Sequence, residues 1–120
     1  MDYAYDPQNI FARILRGEIP SKPLFENEHA LAFPDINPQA PTHILVIPKG
    51  PYMSLDHFIR DASPEEQLGF WAAVSHLCQT LGLEEGFRTI ANTRGHAHQE
   101  VPHFHIHLLA GRPLGPLLAR

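Results

Sequence analysis

Cysteine is almost missing from this chain. Cys78 stands alone, so no internal disulfide can form. Its place in an apolar helical pattern reads as a buried structural thiol. No apolar run approaches the ~20 residues of a membrane span. Met1 to Asp6 is polar and acidic, with no basic start leading into an apolar stretch, so no secretory signal is read and the expected location is the cytoplasm. Basic residues are few. Nine Lys and Arg face thirteen Asp and Glu, giving a formal charge of −4, and this removes the global electrostatic case for nucleic acid. Local donors can still hold one small anion.

What the chain does have is histidine, nine in 120 residues. Three of them alternate in His103-Phe104-His105-Ile106-His107-Leu108-Leu109. Residues two apart on a strand share a face, so the imidazoles would line one side and Phe104, Ile106 and Leu108 the other. Imidazole suits proton transfer, nucleophilic attack and metal binding near neutral pH. For one zinc ion the pattern is awkward. His103 and His107 would have Cα atoms about 13 Å apart on a regular strand, and a further ligand would have to come from His43, His96 or His98. A nucleophile uses the row better. His105, flanked by two imidazoles, can attack phosphorus if it is neutral and its other ring nitrogen is held by an acceptor. The neighbours can then donate to phosphate oxygens.

The rest reads as one domain over residues 9–120 behind a flexible tail, residues 1–8. Asn9 caps a first helix carrying Ile10, Phe11, Ile14 and Leu15, and Gly17 ends it. Short strands are expected at Leu24–Glu26 and Ala30–Phe33. His43–Pro48 is a near-continuous apolar strand, buried on both faces. Ser54–Arg60 suggests a short helical turn. Ser63-Pro64-Glu65-Glu66 opens a long helix with a serine cap, a proline at its first position and a glutamate three residues after the cap. Leu68, Trp71, Ala72, Cys78 and Leu81 would form its core stripe. Strands four and five are expected at Phe87–Ala91 and Val101–Leu109, around a polar loop from Asn92 to Glu100. Pro102 lacks an N–H and marks a loop or edge position. Gly111–Arg120 reads as a packed irregular segment. The class is α+β, a five-stranded mainly antiparallel sheet with two main helices.

The row His-apolar-His-apolar-His-apolar-apolar resembles the signature of the histidine-triad (HIT) superfamily of nucleotide hydrolases and transferases. The likeness extends through Asn9-Ile10-Phe11, Gly17-Glu18-Ile19-Pro20, Ala32–His43 and Val46-Ile47-Pro48-Lys49. Gly111-Arg112-Pro113-Leu114-Gly115-Pro116 is similar to the bacterial branch of purine nucleoside phosphoramidases.

That resemblance implies the HIT fold, with two sheets joined across a two-fold axis in a homodimer. It makes His105 the nucleophile, His107 a phosphate holder, His103 a support for the nucleophile and His43 a fourth member of the network. It places Asn92, Gln99, Glu100 and Val101 beside the substrate's phosphate and ribose side. Asp35 would bind ribose hydroxyls. Ile10, Phe11, Ile14, Ile19, Phe33 and Ile36 would form the purine slot. The implied ligand is a purine nucleoside monophosphate or phosphoramidate, with no cofactor, no metal, no nucleic acid and no membrane. Dinucleoside polyphosphate hydrolysis and a non-catalytic nucleotide-binding module are the alternatives. The chain departs from the family at Ala97 and His98, where glycines usually stand, and at Glu100, where many animal members carry serine.

Overall fold

A computed structural model describes residues 1–119; Arg120, the end of the expected domain, lies outside the described residues. Five strands form one antiparallel sheet: β1 (Phe25–Glu26), β2 (Ala30–Pro34), β3 (Thr42–Pro48), β4 (Arg88–Ile90) and β5 (Ile106–Ala110). Their spatial order is β1-β2-β3-β5-β4. Helices α1 (Ile10–Leu15), α2 (Leu55–Asp61) and α3 (Pro64–Thr80) complete the α+β architecture. Among the described residues no helix is long and apolar enough to cross a membrane.

Strand β3 is the centre. Every residue from His43 to Pro48 is buried, as its unbroken apolar run dictates. Alternation sorts its neighbours onto two faces. Ala30, Ala32, Ile44, Val46, Phe104, Ile106 and Leu108 join Phe58, Phe70 and Leu77 in the main core, under α2 and α3. Leu31, Phe33, Leu45 and Ile47 point the other way and pack with Phe11 of α1 in a smaller cluster. His43, His105 and His107 share this second face.

Local signals set the helix starts. Asn9 accepts from the Ala12 N–H, and Ser54 caps α2. Ser63 and Glu66 form a reciprocal capping box, with Pro64 following. The core stripe of α3 differs from expectation. Phe70, Ala73, Val74 and Leu77 are buried, whereas Leu68 is 72% and Trp71 48% exposed, and Ala72 is also exposed. The helix carries apolar residues on more than one side, and docking on the sheet chooses the Phe70 side. Cys78 is half-buried against the core.

Two other segments differ. Residues 1–8, expected as a loose tail, carry no helix or strand, yet Tyr3 Oη donates to Asp56 Oδ2 at 2.7 Å and Tyr5 Oη lies 2.7 Å from His103 Nδ1. At the other end, Leu117 and Leu118 are exposed instead of packed, although Arg88 holds the Gly115 carbonyl at 2.8 Å.

Phe70 is fully buried between Phe58 and Phe104, which ties α3 to the β5 segment. Phe70→Ala should cost about 3–5 kcal/mol, transfer and cavity terms together. Urea denaturation monitored by circular dichroism measures this; a loss under about 1 kcal/mol would contradict the packing described.

Candidate active site

The histidine row does not lie on one regular strand. Strand β5 begins at Ile106, so only His107 lies within it. Pro102 cannot donate to a ladder, and the His103 N–H turns back to the Val101 carbonyl at 2.8 Å. Phe104 N–H then pairs with the Tyr52 carbonyl at 2.7 Å, outside the sheet. The alternation survives this change. Phe104, Ile106 and Leu108 still enter the main core, while His105 and His107 face a cleft.

Sheet register brings His43 into the same place. Leu45 opposes His107 and Leu109 opposes His43, so the two histidines are diagonal neighbours on one face. Their rings meet, with His43 Nε2 2.9 Å from His107 Nδ1.

Partners fix which nitrogen carries each proton. Gln39 N–H donates to His43 Nδ1 at 3.0 Å, so the His43 proton is on Nε2. That proton points to His107 Nδ1, which leaves an N–H on His107 Nε2. His105 Nδ1 lies 2.7 Å from the His103 carbonyl, an acceptor only, so Nδ1 carries the proton and Nε2 bears a lone pair. His103 Nε2 donates to the Pro48 carbonyl at 2.8 Å. The result is a nucleophilic nitrogen on His105 beside a hydrogen-bond donor on His107, with ring centroids 5.1 Å apart.

Burial favours the neutral form of His103, His105 and His107. His103 is fully buried, and desolvation lowers its pKa to about 4 despite the Pro48 carbonyl, which pulls the other way. Desolvation also lowers His105. His107 falls to about 4 through desolvation, with His105 and His43 adding to the effect.

The cleft has a volume of about 480 Å³. His43, His105, His107, Asp35, Asn92, Gln99, Glu100, Val101 and Phe11 line it, joining nine of the residues singled out in the sequence. His103 is buried behind it. The expected purine slot is not gathered there: Ile10, Ile14, Ile19, Phe33 and Ile36 lie outside the lining. Phe33 is core, Ile14 packs on that core, Ile19 is half-buried and Ile10 and Ile36 are exposed. Asn37, Gln39, Leu45 and Ile90 line the cleft without having been singled out. Leu45 and Ile90, which flank His107 in the register, could have been found from strand pairing alone.

The loop before the histidines is held from several sides. Arg94 makes two bonds to Asp56, at 3.1 and 3.0 Å. With Ser54 and Tyr3 also donating, they hold the Asp56 carboxyl well below the usual carboxylate range. Gln99 Oε1 accepts from Arg94 N–H, and both Gln99 amide protons go to backbone, at Met53 and Val101. Gln99 therefore pins the loop and keeps no amide proton for a ligand. His98, where the resemblance expects glycine, adopts φ +57° and ψ 48°, the left-handed conformation that glycine tolerates best. It contacts Glu100 at 3.1 Å on the exposed rim.

A metal would find one three-residue group among the described residues. Ligand atoms of Asp35, His43 and His107 lie within 4.8 Å of one another. Binding through the facing nitrogens of His43 and His107 would break their ring-to-ring hydrogen bond. Asp35 is further committed by an Asn37 N–H at 2.8 Å.

A five-stranded sheet thus carries a histidine relay that opens on a cleft and presents a lone-pair nitrogen beside an N–H donor. The chain belongs to the HIT family, whose domain model matches residues 16–114. It is 46% identical over 116 residues to the purine nucleoside phosphoramidase of Escherichia coli, covering 93% of this chain and 94% of that one. An uncharacterized 13.2 kDa HIT-like protein of Azospirillum brasilense is 55% identical over 121 residues, covering 100% and 99%. The crystal structure of a HIT family hydrolase from Legionella pneumophila superposes with a TM-score of 0.81 at 40% identity, covering 88% of this chain and 95% of that one. These relatives support a hydrolase.

The lowered pKa values have a sign. An unfolded histidine takes a proton near pH 6.5, whereas folded His103 takes one near 4. Between those values the unfolded state binds more protons, so stability falls as pH drops from 6.5 toward 4. The loss from His103 is on the order of a few kcal/mol. Thermal unfolding followed from about pH 7 to about pH 4.5 tests this; an unchanged midpoint would contradict a neutral, buried His103.

Proposed function

We propose that the protein is a nucleotide hydrolase that cleaves the P–N bond of purine nucleoside 5′-phosphoramidates through a nucleotidyl-histidine intermediate. The observation that carries this reading is the 2.7 Å bond between His105 Nδ1 and the His103 carbonyl, which turns the lone pair of His105 Nε2 toward the cleft. A neutral imidazole held this way is an activated nucleophile. The similarity to a named purine nucleoside phosphoramidase supports the choice of bond.

His105 Nε2 attacks phosphorus and the P–N bond breaks. The departing amine takes its proton from solvent water at the open mouth, beside the exposed His98 and Glu100. His105 becomes a cationic nucleotidyl-imidazolium, stabilised because Nδ1–H still donates to the His103 carbonyl. The His107 Nε2–H donates to a phosphate oxygen as charge builds there. Water then attacks phosphorus, and the bond from phosphorus to His105 Nε2 breaks with its electron pair returning to the ring. The water's proton leaves to solvent, and neutral His105 and the nucleoside monophosphate result. Asp35 serves the ribose hydroxyls. The base lies on the α1 side of the cleft, where Phe11 stands edge-on to His105 at 5.0 Å between ring centroids.

A second copy of the chain completes this reading. Among the described residues β4, three residues long, ends the sheet with a free edge, and Leu117 and Leu118, just past the Gly115 carbonyl that Arg88 of β4 holds, are exposed. Such an edge with apolar surroundings suits an isologous dimer. Light scattering at micromolar concentration should give twice the chain mass; a monomer would remove this part of the proposal.

His105→Ala should lower turnover of a fluorogenic adenosine phosphoramidate by several orders of magnitude while nucleotide affinity changes little. His107→Ala should lose roughly 10²–10³ in rate, the range for one oxyanion donor. His43 reaches the phosphate through its bond to His107, so His43→Ala should be milder. Retention of more than about a tenth of the rate in His105→Ala would sink the covalent mechanism. Chelators should leave the rate intact; loss restored by zinc would favour metal catalysis through Asp35, His43 and His107 instead.

A further inference from the structure

We propose that Tyr5, on the N-terminal segment, is a positioning residue of the histidine relay: its hydroxyl holds His103 in the tautomer and place that orient His105. The inference rests on the reading of His105 as the nucleophile.

The geometry is forced by donor and acceptor types. The Pro48 carbonyl can only accept, so the proton of His103 is on Nε2. His103 Nδ1 is then an acceptor, and Tyr5 Oη, 2.7 Å away, donates to it. Burial raises the Tyr5 pKa and keeps that proton on the phenol. His103 is thus held through both ring nitrogens, while its own N–H bonds to the Val101 carbonyl. The carbonyl of this same residue accepts from His105 Nδ1. Tyr5 stands two hydrogen-bonded links from the His105 ring and does not itself line the cleft.

The segment is built to keep Tyr5 there. On one side Tyr3 bonds to Asp56, stacks on His57 with ring centroids 4.3 Å apart and sits under Arg60. On the other, Asn9 Nδ2 donates to the Asp6 carbonyl at 2.7 Å and Arg16 to the Pro7 carbonyl at 2.7 Å. Tyr5 lies between two fastened points.

Without the hydroxyl, His103 Nδ1 is a buried acceptor with no partner, a costly state that ring movement or a tautomer change relieves. Either one carries the His103 carbonyl off His105 Nδ1 and lets the nucleophile's proton redistribute. In Tyr5→Phe, kcat should fall on the order of tenfold, the scale seen when an orienting outer hydrogen bond is removed, with KM little changed. Nitrogen-15 NMR of the imidazoles should show His103 Nδ1 shifted and His105 changed from one tautomer to a mixture. Tyr3→Phe, which removes another tail anchor, should leave the His103 and His105 nitrogen signals as in the wild type. Wild-type His105 signals or wild-type kcat in Tyr5→Phe would overturn the proposal. So would the same change in Tyr3→Phe, since that would reduce the effect to loosening of the tail. The spectra need no turnover. If the wild-type protein cleaves no phosphoramidate, the functional reading fails by itself and the nitrogen signals alone decide the role of Tyr5.

Discussion

The site depends on one hydrogen bond, from His105 Nδ1–H to the backbone carbonyl of His103. The backbone leading into this bond is not regular strand: Pro102 cannot join a ladder, and the His103 N–H turns back to the Val101 carbonyl. The strand becomes regular only at Ile106, once His105 has been placed. In the low-dielectric setting of the buried His103, such a bond fixes the tautomer of its donor more firmly than the same contact would in water.

The sheet supplies what this bond cannot supply for itself. β3 is buried on both faces and gives the Pro48 carbonyl to His103, His43 to His107 and Leu45 to the cleft wall. The main core holds the other side of the β5 segment through Phe104, Ile106 and Leu108. Phe104, Ile106 and Leu108 are thus fixed by packing, and His105 and His107, which alternate with them, face the cleft. No buried side-chain polar atom among the described residues lacks a partner, which fits a polar relay complete enough to hold its members in one arrangement.

Much of this was legible because it is local. The apolar run of β3, the capping box of α3 and the histidine alternation each need only neighbouring residues to be read. The start of β5 did not follow from alternation, because the bond from Phe104 to Tyr52 crosses more than fifty positions. The α3 stripe was misread because Leu68 and Trp71 compete with Phe70, Val74 and Leu77 for the same periodicity, and only docking on the sheet decides. Gln99 carried no sequence sign that its amide would be spent on Met53 and Val101. Tyr5 is 98 positions from His103, and an aromatic in a polar N-terminal stretch reads as tail until the fold brings them together.

The central claim is that His105 Nε2, and no other atom, takes the nucleotide. Rapid mixing with an adenosine phosphoramidate, acid-free quenching and peptide mass mapping measure this directly. The account predicts a transient adenylyl mass on the peptide containing His105, with fragmentation placing it on that residue. An adduct mapped to His43, His98 or His107, or steady turnover with no adduct at any time point, would contradict it.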